Sequence, residues 1–116
     1  MASLYMTGNG NASEIAQMLA NEIQNSAYSC ELVDSVSREF EGTSCHLLVF
    51  DKYYMRTESR ASLTVSVIGN NGTVYVDAVG AGGGKGALFN FAWGAEENFV
   101  NTVAEILQGY GFRITE

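Results

Sequence analysis

Lysine at the end of a glycine run could hold an anion, because glycine N–H groups can converge on negative charge and lysine adds a point charge. Gly80-Ala81-Gly82-Gly83-Gly84-Lys85-Gly86 is such a run, and Phe89, Phe91 and Trp93 follow closely enough to wall a pocket. The run fails as a phosphate loop: Val79 stands where the first glycine is required and Gly86 where the magnesium-binding hydroxyl is required. Gly82, Gly84 and Ala87 do satisfy the loosest dinucleotide fingerprint, but they leave a hairpin rather than open a βαβ helix. Glycines of this kind also serve any connection with unusual backbone angles.

The other reactive residues do not converge. Cys45 and His46 are neighbours on an expected strand, so their side chains point to opposite faces and cannot form a thiolate–imidazolium pair. His46, the single histidine, lies mid-strand with no elbow beside it, which favours a satisfied strand histidine over a general base. Cys30 and Cys45 with that histidine give no metal-ligand spacing, and no metal or cofactor is implied. Asp34 and Arg38 share a face of their strand, and Asp34 there points toward the expected core, which calls for an edge position or a bulge.

The elements that must position these residues are legible from periodicity. The residues from Arg60 to Gly69 alternate strictly, Asn71-Gly72 suits a two-residue type I′ turn, and Val74, Val76 and Ala78 resume the alternation. Val67 then opposes Val76, and Val65 opposes Ala78. Upstream, Tyr28 to Phe40 and Thr43 to Met55 form a second hairpin about Glu41-Gly42, with Val36 opposite Leu47 and Arg38 opposite Cys45. Cys30 falls opposite Tyr53, roughly 20 Å along the ladder from Cys45, too far for a disulfide.

Asn11 and Glu14 predict a helix from Ala12 to about Asn25, with Ile15, Leu19 and Ile23 as its apolar stripe. A second helix is expected from Ala95 to Gln108, burying Phe99, Val103, Ile106, Leu107 and Tyr110 and ending at Gly109 or Gly111. Ser3 to Thr7 is a short strand. The fold class is α+β: an antiparallel sheet, a four-strand meander plus a short N-terminal strand, with two helices on one face in the order βαββββα. Cys45, Leu47 and Val49 are expected on the helix side with Leu63, Val65, Val67, Val74, Val76 and Ala78. Leu48, Phe50, Tyr54, Ile68 and Tyr75 are expected on the other side as an apolar patch.

Composition sets the frame. The 116 residues make one domain, and 47% apolar with 16% charged residues suits a globular chain. A formal net charge of −7 argues against nucleic acid and anionic membranes as partners. The sequence shows neither a basic N-terminal leader running into an apolar stretch nor a bilayer-length apolar run, which points to a cytoplasmic protein.

Laid out in this way, the chain resembles a family of small bacterial proteins of unknown function. The resemblance is carried by the hairpin around Asn70-Asn71-Gly72, the small residues from Ala78 to Gly84, Phe89-Asn90-Phe91, and Gly94-Ala95-Glu96-Glu97-Asn98-Phe99 before the last helix. It implies a free-standing domain and no assigned activity or catalytic residue. Two readings of function follow from the residues. The first is a noncatalytic domain that self-associates as a dimer through Leu48, Phe50, Tyr54, Ile68 and Tyr75. The alternative is a small anionic-ligand protein or enzyme with its site at Gly82, Gly83, Gly84, Lys85, Phe89, Phe91 and Trp93.

Overall fold

A computed structural model describes residues 2–27, 29–55, 58–82 and 95–115. In chain order the elements are β1 (Ala2–Asn9), α1 (Ala12–Gln24), β2 (Cys30–Phe40), β3 (Thr43–Tyr54), β4 (Ser59–Asn70), β5 (Thr73–Gly82), α2 (Ala95–Gln108) and β6 (Arg113–Ile114). The strands form one six-stranded antiparallel sheet in the spatial order β2-β3-β4-β5-β1-β6. The class is α+β, with one strand beyond those expected.

Two hairpins owe their form to their turns. Glu41 and Gly42 have φ of 50° and 79°, and Asn71 and Gly72 have φ of 53° and 82°. Positive φ at both central residues is the type I′ geometry, whose twist matches that of the flanking strands. Asn71-Gly72 thus sets Val67 opposite Val76 and Val65 opposite Ala78, as the spacing required.

The N-terminal strand lies between β5 and β6, with Met6 opposite Val76. Asn11 accepts the Glu14 N–H at 3.0 Å and starts α1 at Ala12. The C-terminal end of α2 closes as a Schellman motif. Phe112 N–H donates to the Leu107 carbonyl at 3.0 Å and Gly111 N–H to Gln108 at 3.1 Å, with Gly111 at φ 87°. That turn aims the chain back along β1, where Thr115 N–H reaches the Tyr5 carbonyl at 2.8 Å and completes β6. Tyr110, expected in the buried stripe, lies outside it at 52% exposure and donates to the Glu22 carboxylate at 3.0 Å. That hydrogen bond, and then the negative charge of the same carboxylate, raise its phenol pKa.

Both helices pack on the sheet face that carries Leu63, Val65, Val67, Val74, Val76 and Ala78. Ile15, Leu19 and Ile23 come from α1, and Phe99, Val103 and Leu107 from α2. The facing of β3 is the reverse of the expectation. Leu48 and Phe50 are 4% and 0% exposed and belong to the core, whereas Leu47 is 39% exposed on the opposite face. The cause is the parity of the β3–β4 connection. Four residues, 55–58, separate Tyr54 from its partner Ser59, so Leu48 opposes Val65 and Phe50 opposes Leu63. Even positions of β3 therefore share a face with odd positions of β4. The expected patch is accordingly divided: Leu48, Phe50 and the half-buried Tyr54 lie on the helix side, while Ile68 and Tyr75 stay on the other.

Candidate functional site

On β3 the same parity carries His46 to the helix side, where it enters a groove between α1 and the strands β2 and β3. The groove has a volume of about 350 Å³; Gln17, Asn21 and Gln24 line one wall, and Ser35, Ser37 and His46 the other. Ser37 Oγ lies 2.9 Å from Nδ1 of His46, and Ser44 Oγ lies 2.7 Å from Nε2. A neutral imidazole has one donor and one acceptor nitrogen, and the two hydroxyls match both. No carboxylate hydrogen-bonds the ring among the described residues, so the orienting group of a catalytic triad is missing from this cluster. Cys45 points to the other face.

Cys30 is a buried free thiol on the helix side, opposite Lys52. Burial pushes its pKa up from that of an ordinary thiol; Lys52 opposes the shift and Asp51 adds to it. The ammonium of Lys52 is held over aromatic rings, 4.8 Å from the Tyr54 centroid and 5.3 Å from that of Phe99. Cys30 is thus a protonated, poorly accessible thiol. Among the described residues no group of three or more His, Cys, Asp or Glu could hold a metal.

Of the expected anion site, Gly82 is the exposed last residue of β5, paired with Ala61. Gly83, Gly84, Lys85, Phe89, Phe91 and Trp93 lie outside the described residues.

The remaining surface of note is the sheet face away from the helices. Cross-strand rows run Arg38, Cys45, Ile68, Tyr75, Thr7 and, next to it, Val36, Leu47, Ser66, Asp77, Tyr5. Tyr5, Val36, Leu47, Tyr75 and Val79 are each 37–50% exposed on this face. Asp51 is paired with Arg60, whose guanidinium also stands 5.7 Å from the Tyr53 ring. Sequence reasoning placed Ile68 and Tyr75 here but missed Val36 and Leu47. The length of the 55–58 connection was the signal that could have found them.

Fold and surface together define the class: an α+β domain with an antiparallel sheet, one face covered by helices and the other partly apolar. The chain belongs to a family of unknown function (DUF6054), whose model matches residues 1–111. No curated protein matches the sequence. Among solved structures, the cyanobacterial PsbP (CyanoP) of Synechocystis sp. PCC 6803 is similar at 13% identity and a TM-score of 0.44. That similarity covers 97% of this chain and 66% of the other. No helix among the described residues is long and apolar enough to cross a membrane.

Proposed function

We propose that this protein is a noncatalytic, cytoplasmic interaction domain that self-associates through the helix-free face of its two-layer fold. One observation carries the reading: Tyr5, Val36, Leu47, Tyr75 and Val79 stand exposed together on a face that no described element covers. Contiguous apolar surface on a folded domain commonly marks a contact surface. Its dimensions also suit a dimer. Five full strands ~4.8 Å apart and up to ~35 Å long present roughly 700 Å², close to the ~800 Å² per partner of a standard interface.

A face-to-face contact between two copies is isologous when its twofold axis lies in the plane between the two sheets. Ile68 and Tyr75 remain from the expected patch, and Leu47 and Val36 replace Leu48 and Phe50. The test is mass in solution by light scattering after size exclusion, for the native chain and for Tyr75→Glu. We expect the native species to exceed the 12.5 kDa chain mass and the variant to lose that contact. A native monomer at all concentrations, or a mass that Tyr75→Glu leaves unchanged, would sink the face reading.

A further inference from the structure

We infer that the free edge of β2 is a second contact for another copy of this chain, an antiparallel β2–β2 pairing about a twofold axis at Val36. It goes beyond the face contact and stands without it. Among the described residues β2 has a neighbour on one side only, β3. From Glu31 onward every residue but the half-buried Leu32 is exposed. Phe40 and Thr43 close a two-residue type I′ loop and so form a hydrogen-bonded pair. Counting back by twos, Arg38, Val36 and Asp34 spend their backbone groups on β3, and Glu39, Ser37 and Ser35 aim theirs outward. The Ser35 N–H accordingly takes Asp34 Oδ1, at 2.8 Å, as its acceptor. At the start of the strand, Gln24 Oε1 on α1 accepts the Leu32 N–H at 3.3 Å, and a bulge at Val33 ends the regular ladder. The open edge is therefore Asp34 to Glu39.

The side chains on that edge select a partner and a register. Asp34, Val36 and Arg38 project on the helix-free face, opposite Val49, Leu47 and Cys45. Asp34 and Arg38 are four residues apart on one strand, roughly 13 Å, so they cannot pair with each other. Neither forms an ion pair among the described residues. A second β2 running antiparallel, with Val36 opposite Val36, sets each Asp34 opposite the other copy's Arg38. Both pairs fall at non-hydrogen-bonded positions, where side chains approach most closely. Ser35 and Ser37 become the hydrogen-bonded pair, so the Ser35 N–H exchanges a carboxylate for a carbonyl and frees Asp34 for the arginine. Moving the axis to Asp34 or to Arg38 puts like charges opposite each other, and placing it at Ser35 or Ser37 leaves the charges facing other residues. Charge therefore specifies one register, while the same charges and the bulge repel indiscriminate edge pairing. The product is a continuous sheet in which the two helix-free faces lie side by side.

The test separates this contact from the face contact by using the Tyr75→Glu chain, with mass measured over a wide range of concentrations. We expect that chain to remain a dimer, twice the 12.5 kDa chain mass. Adding Arg38→Asp should weaken the dimer by roughly tenfold or more, because two attractive cross-strand pairs become repulsive. Adding Asp34→Arg to that should restore it. Register is read separately in the Cys45→Ser chain: Val36→Cys should oxidise to a covalent dimer and Ser37→Cys should not. A Tyr75→Glu chain that is monomeric throughout, a charge reversal without effect, or a double reversal that fails to restore dimerisation would overturn the edge contact. If Tyr75→Glu is instead a dimer of native mass, the face reading fails and the edge contact stands.

Discussion

Leu47 and Leu48 are adjacent, identical in chemistry and in the same strand, yet the structure puts one on the open face and the other in the core. Truncating each to alanine isolates facing from every other variable. Leu48 is 4% exposed, opposite Val65 and under α1, so Leu48→Ala should remove its burial and leave a cavity, a cost of about 2 to 5 kcal/mol. Leu47 is 39% exposed with no layer above it among the described residues, so Leu47→Ala should cost about 1 kcal/mol or less. For a domain of this size the gap corresponds to roughly 5 to 15 °C in Tm. The assay is urea unfolding followed by circular dichroism, at protein concentrations low enough that association does not contribute. A common m-value should accompany the separated midpoints. Equal costs, or a larger cost for Leu47→Ala, would refute the parity argument and return Cys45, Leu47 and Val49 to the core.

Close approach at two glycines predicts a second pair of effects. A Cβ on Gly69 would stand 2.6 Å from the Ala12 Cβ at the start of α1, so Gly69→Ala should cost about 1 to 3 kcal/mol. Ala12→Gly should recover part of that cost in a double-mutant cycle by urea unfolding, and additive costs would contradict the contact. The same added atom on Gly8 would meet the Phe112 ring at 2.6 Å, so Gly8→Ala should loosen the β1–β6 end of the sheet, read as faster amide exchange at Thr115. For the thiols, Cys45 is half-buried and Cys30 buried. Alkylation followed by mass spectrometry should therefore label Cys45 first. Labelling of Cys30 should need more alkaline conditions than an ordinary thiol, because burial raises its pKa. Equal rates at the two sites would contradict the burial of Cys30 on the helix side.

Much of this fold was legible because local signals agreed with one another. Asn71-Gly72 and the alternation on either side of it specify the same register, and Asn11 with Glu14 specifies the start of α1. The expected irregularity at Asp34 is a bulge between Leu32 and Asp34, which leaves Asp34 exposed at the edge. β6 was not legible: two residues carry no periodicity, and Arg113–Ile114 pairs with β1 only because the cap at Gly111 turns the chain back. The anion site could not be placed, since its glycines and aromatics after Gly82 lie outside the described residues.

The error on β3 has a more general cause. Both faces of that strand are apolar, Cys45, Leu47 and Val49 on one side and Leu48 and Phe50 on the other, so hydrophobic alternation gives no preference between them. Facing then passes along the meander from β5 by the parity of each connection: two residues at Asn71-Gly72, four at 55–58, two at Glu41-Gly42. An even connection joins an odd position to an even one each time, so once Val74 and Val76 are inside, Val65 and Val67 follow, then Leu48 and Phe50, then Ser35 and Ser37. The last step makes the inner side of β2 hydroxyl-lined and sends Asp34, Val36 and Arg38 to the open face. One count of loop residues thus decides both which leucine is structural and where the charged edge points, which is why the leucine pair and the charge reversals test a single underlying register.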